Sequence, residues 1–174
     1  YKNTVKAVEM LGGIGKFVKK GDRVAIIPNS PWKNPGAYTN PDITLAVMKM
    51  CMASGAKEVT TLIAIEPLYW QRALKQSKHR AEIAALKTTM SKTRKELPAS
   101  KLLKYAEYSS ELFDADVYIN IPIAKDHIGT RFTGNLKNLM GACPRETNHR
   151  IHLPGGKEQG EFYGFIEHLS QSIA

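Results

Sequence analysis

Two proline-led segments carry the side chains that are best suited to chemistry. Asn29 follows the apolar run 23–27 and Pro28, while Lys125 and His127 follow the run 116–121 and Pro122. Lysine binds anions, histidine transfers protons near neutral pH, and asparagine orients a ligand through hydrogen bonds. In an open parallel sheet, the segments that leave the carboxyl ends of the strands meet in one crevice. We therefore predict one site, with His127 and Lys125 as its catalytic residues.

A third segment, 130–141, has the composition of an anion-binding helix start. Thr133 or Asn135 is the predicted N-cap, and Lys137 adds a full charge in the first turn, where free backbone N–H groups favour an anion. The predicted ligand-binding residues are Asn29, Thr133, Gly134, Lys137 and Asn138. An ordinary capped helix with a solvated lysine explains this segment equally well. Neither a Walker loop nor a G-x-G-x-x-G motif after a strand occurs.

Three histidines offer a weaker alternative, a metal site formed by His127, His149 and His152. His149 and His152 are three residues apart and face the same way only if that piece is helical. No H-E-x-x-H pattern supports a metal. We interpret His79 and His168 as structural or surface residues. An acid–base role for His127 beside a lysine-rich anion pocket is equally consistent with the sequence.

The cysteine content limits the redox chemistry of this chain. Cys51 and Cys143 are far apart and outside any C-x-x-C pair, so we expect no disulfide framework, zinc ribbon or iron–sulfur cluster within the chain. Any cluster would belong to a partner. The longest apolar runs are far shorter than the ~18 residues of a spanning helix, so no membrane span is predicted.

The positive charge is concentrated in one segment. The net charge is +9, but residues 72–104 hold ten basic residues against Glu82 and Glu96, which leaves the rest of the chain nearly neutral. Nucleic-acid binding through this basic segment is one interpretation. We favour a solvated helical face, because no aromatic residue for base stacking lies between Trp70 and Tyr105.

The elements that position these residues follow the pattern of an α/β fold. Strands are predicted over 23–27, 58–65 and 116–121, from short β-branched apolar runs. Helices are predicted over 2–11, 41–55, 67–77, 82–97 and 101–113. A strand, helix and strand in sequence imply a right-handed crossover and a parallel sheet. The predicted fold is a single Rossmann-like α/β domain over 1–174, mostly parallel and flanked by helices, with 72–104 as a mainly helical insertion.

Several motifs carry a family resemblance. They occupy residues 12–29, 39–42, 54–59, 116–122, 124–127 and 136–141. In these motifs the chain resembles the prokaryotic proteins of the family known as domain of unknown function 362. The resemblance implies an α/β domain without a settled biochemical role, sometimes joined to ferredoxin-type iron–sulfur modules and sometimes preceded by a twin-arginine export signal. It also implies more chain at both ends, and a lysine at the position of Ile27.

The sequence leaves three functions open. The first is a small-molecule enzyme or binding domain whose phosphate- or carboxylate-bearing ligand lies at the carboxyl ends of the strands. The second is a redox-associated scaffold that docks a ferredoxin-like module, and the third is nucleic-acid binding through 72–104. The sequence leaves the compartment open: the protein is cytoplasmic, or exported if a twin-arginine signal precedes Tyr1. The cofactor is not specified by the sequence, and a metal ion remains an option.

Overall fold

The computed structural model describes residues 1–30, 34, 36–62, 69, 78–79, 81–82, 93–96, 105–127, 131–144 and 147–148. The strands are β1 (Arg23–Pro28), β2 (Glu58–Thr61), β3 (Thr93–Glu96), β4 (Tyr105–Tyr108), β5 (Val117–Ile121), β6 (Lys125–His127) and β7 (Arg131–Thr133). The helices are α1 (Lys2–Met10), α2 (Pro41–Ala53), α3 (Glu111–Asp114) and α4 (Asn135–Asn138), with 3-10 turns at Ile14–Lys16 and Leu139–Ala142.

The central layer is a three-stranded parallel sheet in the order β2-β1-β5. β1 is the middle strand, and it is buried from Val24 to Pro28. Val, Ile and Ala suit this position because a central parallel strand is covered on both faces and has no polar side to present to water. The predicted α/β class with a parallel sheet is therefore confirmed.

Helix α2 links β1 to β2 and follows its local signals. The Asn40 side chain accepts a hydrogen bond from the Asp42 backbone N–H at 2.9 Å, and Pro41 occupies the first helical position. Gly55 follows the helix with φ of +93°, a left-handed conformation that glycine adopts at little cost. The predicted helix is confirmed, and Asn40 is its cap.

Two apolar clusters cover the two faces of the sheet. Ile26 packs with α2 residues such as Leu45 and Cys51 on one face. Ile27 packs with the 3-10 turn Leu139–Ala142 and with Cys143 on the other. Both isoleucines are fully buried, which stabilises the fold by about 1.5–3 kcal/mol for each side chain.

Two of the predicted helices are wrong in part. β3 and β4 lie within the predicted helices 82–97 and 101–113, and they form an antiparallel pair with Arg94 opposite Glu107. Residues 105 and 108 are both tyrosines, a residue type that favours strands. Within the described part of the predicted helix 101–113, the helical residues belong to α3. Of the predicted helix 67–77, only Tyr69 lies within the described residues.

The strand order creates a switch point between β1 and β5. After β1 the chain crosses through α2 to β2 on one side, whereas β5 pairs with β1 on the other side. α2 contributes to the cluster on one face, and the turn after α4 contributes to the cluster on the opposite face. Pro28 is in register with Ile121, so the segments after β1 and β5 leave at the same end of the sheet. In open parallel sheets, ligands bind outside the carboxyl ends of the strands at such a switch point.

None of the helices in the described part of the chain is long and apolar enough to cross a bilayer.

Candidate functional site

Thr39 fixes the first segment of the site to the end of β5. Its hydroxyl donates to the Ile121 carbonyl at 2.7 Å and accepts from the Asn29 backbone N–H at 3.1 Å. The Thr39 backbone N–H donates in turn to the Asn29 carbonyl at 2.9 Å. The Tyr69 hydroxyl donates to the Thr39 carbonyl at 2.6 Å and fixes the backbone of Thr39. The turn that begins at Asn29 is therefore closed and tied to the neighbouring strand.

Lys125 connects the two proline-led segments. It lies in β6, and its Nζ donates to Asn29 Oδ1 at 3.0 Å and to the Ala37 carbonyl. Both acceptors belong to the segment after β1, although Lys125 itself follows β5. The structure thus brings Asn29 and Lys125 into direct contact, as the strand-end pattern predicts.

A chain of asparagine amides continues from Lys125 into the core. Asn29 Nδ2 donates to Asn138 Oδ1 at 2.9 Å, and Asn138 Nδ2 donates to Asn120 Oδ1 at 2.7 Å. Asn138 Nδ2 also donates to the Ile27 carbonyl at 3.1 Å. Asn120 Nδ2 ends the chain on the Asn135 carbonyl at 2.8 Å. We call Asn29, Asn138 and Asn120 the asparagine network.

The asparagine network has a single direction of donation. The Lys125 ammonium has no acceptor capacity, so it forces Asn29 to present its oxygen to Lys125 and its amide nitrogen to Asn138. The same constraint passes to Asn138 and Asn120. Asn29 and Asn138 are only 6% and 4% exposed, so alternative hydrogen bonds with water are restricted. The network fixes the lysine, the strand end and α4 relative to one another.

One face of the β6–β7 hairpin collects basic and hydroxyl side chains. Lys125 is directly opposite Thr133, and His127 is directly opposite Arg131. Because residues two apart in a strand and residues opposite in a pair share a face, these four side chains lie on the same face of the hairpin. Asp126 is on the other face. Thr133 is 1% exposed, and its Oγ1 has no hydrogen-bond partner among the described residues.

Burial and charge change the pKa values of the two lysines of the site. Burial lowers the pKa of Lys125 below its ordinary value. Burial, and then the nearby charge of Lys125, lower the pKa of Lys137 to about 8. Lys137 is thus a partly neutral amine near physiological pH, beside a cation that is held by two oxygen acceptors. Such a pair can bind an anion, and its neutral member can act as a base or a nucleophile.

The predicted helix start at Thr133 is wrong in its capping. Gly134 is the N-cap of α4 and provides no side-chain hydrogen bond, and α4 has only four residues. Thr133 is the last residue of β7, and its pairing with Lys125 holds it in the extended strand. Its hydroxyl is therefore part of the hairpin face and not of a cap, and Asn135 is the first helical residue. This short helix does not provide the helix-terminus anion site that the sequence suggested.

The structure joins the other predicted ligand-binding residues in different ways. Asn29 and Asn138 are hydrogen-bonded, and Lys137 is close enough to Lys125 to feel its charge. A Cβ on Gly134 would lie 2.5 Å from the Phe132 ring, so a larger residue there would displace that ring. We call Asn29, Lys125, Thr133, Lys137 and Asn138 the strand-end site.

The metal-ligand prediction falls largely outside the described residues. His149 and His152 both lie there, whereas His127 is on β6. Within the ranges that the structure describes, no group of three or more His, Cys, Asp or Glu side chains could hold a metal ion. Cys51 and Cys143 are buried thiols on opposite faces of the sheet.

Ile27, where the resemblance implies a lysine, faces the core. Ile27 is fully buried, and a Cβ on Gly141 would lie 3.2 Å from its Cγ2. The lysines that the structure places at the carboxyl end of the sheet are Lys125 and Lys137.

The sequence reasoning missed several contributors to the site. Asn120 had a usable signal, because a polar residue inside an apolar strand needs a buried partner. The sequence alone does not indicate that Thr39 ties the segment after β1 to the end of β5. Arg131 has φ of +64°, a rare conformation for a residue other than glycine that nothing in its residue type indicates.

A cavity of about 180 Å³ lies at the opposite end of the sheet, away from these residues. Its lining includes Arg23, Thr60 and three carboxylates, Glu58, Glu111 and Asp114. Glu58 and Arg23 are at the first positions of β2 and β1, so this cavity is at the amino end of the strands. Its acidic lining does not favour an anionic ligand.

The chain forms an α/β domain with a basic, hydrogen-bonded cluster of side chains at the switch point of a parallel sheet. Residues 24–174 match the family described as Domain of unknown function (DUF362), and the chain belongs to this family. The family resemblance of the motifs is thereby confirmed.

A curated relative and the solved structures complete the comparison. The chain is 29% identical over 174 residues to the thylakoid-associated protein sll1697 of Synechocystis sp. (strain ATCC 27184 / PCC 6803 / Kazusa). The alignment covers 96% of this chain and 53% of that protein, so the chain spans about half the length of this relative. No solved structure matches the chain.

Proposed function

We propose that this domain binds a small anionic molecule, through a carboxylate or phosphate group, at the strand-end site. The observation that carries the proposal is the partly buried Lys125, which lies directly opposite Thr133 with its buried hydroxyl, while Lys137 is near enough for the charge of Lys125 to lower its pKa. Two ammonium groups repel each other, and the repulsion is stronger where water is excluded. A bound anion would reverse this penalty by pairing with both charges. A site of this kind favours negatively charged ligands over neutral ones.

The surrounding residues have distinct proposed roles. Lys125 uses two of its three donors on Asn29 and Ala37, which leaves the third for a ligand oxygen. The Thr133 hydroxyl is directly opposite Lys125 and offers a second donor. His127 shares this face of the hairpin and is the proposed acid–base group. Asn138 positions Lys125 through Asn29 and does not itself reach the ligand.

The proposal is tested by binding of two simple anions, pyruvate for the carboxylate and inorganic phosphate for the phosphate. Isothermal titration and thermal unfolding are measured with the purified chain at pH 7. We expect at least one anion to bind and to raise the melting temperature, since a ligand that binds only the folded state stabilises it. Lys125→Gln should abolish both effects.

The matched control is Lys6→Gln, which removes an exposed charge on α1. It should leave binding unchanged. Equal loss in the two variants would mean that binding responds to the net charge and not to the strand-end site. Absence of binding by both anions would contradict the proposed function.

A further inference from the structure

We propose that the end of α1 and the turn that follows it dock the chain on an anionic lipid surface. Three large apolar side chains are exposed here: Met10 is 80%, Leu11 is 65% and Phe17 is 51% exposed to solvent. We call these three residues the apolar tip. Exposed apolar side chains that lie together and are rimmed by polar residues mark interaction surfaces. The proposed partner is a bilayer with negatively charged headgroups.

A tight glycine turn holds the parts of this surface together. Gly12 and Gly13 have φ of +99° and +78°, and the Gly13 backbone N–H donates back into the last turn of α1 at 2.9 Å, so the chain turns directly after Leu11. A Cβ on Gly12 would lie 3.4 Å from the Lys16 Cδ. The Lys16 ammonium lies 5.6 Å from the centre of the Phe17 ring. The side chain of Lys16 thus connects the turn after Leu11 with the ring of Phe17.

Helix α1 is an outer element of the fold, and none of its residues is buried. Its half-buried residues share the side that faces the protein: Thr4, Val5 and Val8. Lys2, Lys6 and Met10 are exposed and four residues apart, so they lie along the opposite side of the helix. The apolar tip therefore lies at the outside of the molecule, where a flat lipid surface can reach it.

Lysines surround the apolar tip and define the chemistry of its partner. Residues 1–20 hold five lysines against one glutamate, a net charge of +4. All five are exposed: Lys2, Lys6, Lys16, Lys19 and Lys20. Lysine is depleted at protein–protein contacts, whereas each lysine near an anionic membrane strengthens binding. Its long apolar stem also reaches past inserted side chains to the headgroups. The charge therefore favours an anionic lipid surface over a protein partner.

The nearby carboxylates lie on the other face of the sheet. Ile14 and Val18 pack in the cluster that includes α2. Glu111 and Asp114 belong to α3, whose Leu112 packs in the opposite cluster. These carboxylates therefore do not face a surface that approaches the apolar tip, and they repel it little.

The position of the apolar tip in the fold sets the orientation of the docked chain. The Gly21 backbone N–H donates to the Gly55 carbonyl, and the Lys57 backbone N–H donates to the Asp22 carbonyl, both at 2.8 Å. The segment 14–22 therefore lies at the amino end of β1 and β2. The strand-end site is at the carboxyl end of the same sheet. A chain docked through the apolar tip would keep that site directed away from the lipid.

The first test is flotation of the purified chain with vesicles of equal parts phosphatidylglycerol and phosphatidylcholine, compared with vesicles of phosphatidylcholine alone. We expect binding to the anionic vesicles, which weakens as the salt concentration rises. The double variant Leu11→Ser/Phe17→Ser should weaken binding by about tenfold or more, since it removes much of the apolar tip. The matched control is Phe132→Ser, which removes a side chain that is 61% exposed at the carboxyl end of the sheet. It should bind like the wild type.

The lysines are tested by a second pair of variants. Lys6→Gln/Lys16→Gln should weaken binding to the anionic vesicles by about fivefold for each charge removed. The control Arg131→Gln removes an exposed charge on β7, and it should leave binding unchanged. This comparison separates the lysines of α1 and its turn from the net charge of the chain.

Insertion is measured directly with an environment-sensitive dye on Leu11→Cys. We expect a stronger, blue-shifted emission with the anionic vesicles, because position 11 enters the boundary between headgroups and acyl chains. The same dye on Phe132→Cys should not respond. Cys51 and Cys143 are buried and react slowly, so the dye is confined to the introduced thiol.

Three results would overturn lipid docking. The first is the absence of binding to the anionic vesicles. The second is binding with equal dye responses at positions 11 and 132, or with equal losses in the lysine and Arg131 variants, because binding would then follow net charge alone. The third is a dimer, detected by light scattering, that Leu11→Ser/Phe17→Ser dissociates while vesicles do not bind, which would assign the apolar tip to a contact between two copies. The strand-end site is tested separately, by pyruvate and phosphate.

Discussion

Removal of the Asn138 side chain is the most informative perturbation of the strand-end site. Asn138 accepts from Asn29 and donates to both Asn120 and the Ile27 carbonyl, so the substitution Asn138→Ala breaks three hydrogen bonds. The bond between Lys125 and Asn29 survives, but the amide nitrogen of Asn29 loses its acceptor. The residue is central because the network connects the two sides of the switch point through it.

The magnitude follows from the burial of each partner. Each lost bond costs about 0.5–1.5 kcal/mol, and a buried donor without an acceptor adds about 1–3 kcal/mol. Asn29 is 6% exposed and meets this second condition, whereas Asn120 is partly exposed and water can replace its lost partner. Alanine recovers a few tenths of a kcal/mol through its helix propensity. We expect a net loss of about 2 kcal/mol or more in the free energy of unfolding.

Urea unfolding, followed by circular dichroism, measures this loss. The control is Asn135→Ala in the same short helix, since the backbone carbonyl of Asn135, and not its exposed side chain, accepts from Asn120. The control should change the free energy of unfolding by less than about 0.5 kcal/mol. A loss below about 1 kcal/mol for Asn138→Ala, or an equal loss in the control, would refute the assignment of the network as a structural link.

The remaining predictions concern a ligand contact, a buried charge and a backbone conformation. His127→Ala should weaken pyruvate binding while lowering the free energy of unfolding by less than about 1 kcal/mol; unfolding with binding intact would show a structural role instead. Lys137→Met should stabilise the protein at pH 7, and the gain should shrink between pH 8 and 10.5. In that range the unfolded chain binds more protons than the folded one, so wild-type stability rises with pH; a gain that is constant in urea unfolding across this range would contradict the lowered pKa. Gly55→Ala should lower the free energy of unfolding by about 2 kcal/mol, because Gly55 has φ of +93° and the new Cβ would lie 3.3 Å from the Lys20 Cα. Gly13→Ala should lower it by about 1 kcal/mol, because Gly13 has φ of +78° but the space around its Cβ position is open. Equal losses for the two variants would show that the contact with Lys20 does not destabilise Gly55→Ala.

Local signals were sufficient for the elements that build the sheet. The β-branched run of β1 and the Asn40–Pro41 start of α2 each favour one structure without help from distant residues. β3 and β4 are different, because each strand exists through its pairing with the other. The spacing of apolar residues over 82–97 and 101–113 is consistent with helices. The pairing of β3 with β4, which are distant in sequence, is what makes these two segments strands.

The composition of the site was predictable, but its internal connections were not. Polar residues after β1 and β5 are expected at a switch point, which is why Asn29 and Lys125 could be grouped from sequence. The link through Asn138 depends on the position of α4 above the sheet, and no spacing rule fixes that position. The capping role given to Thr133 failed for a related reason, since pairing in the hairpin prevailed over a local helix preference.

The two buried thiols allow the opening of each apolar layer to be measured separately, through the rate at which each thiol reacts with a reagent. Cys51 reports on the layer that α2 forms, and Cys143 reports on the layer beneath the turn that follows α4. Burial raises the pKa of Cys51 to about 11, so its reaction with a thiol reagent requires that the surrounding layer open. Labelling rates of the two single-cysteine variants would then show which layer opens first. The asparagine network connects the strand-end site to both layers. An anion bound at that site would therefore lower the labelling rates of Cys51 and Cys143 together.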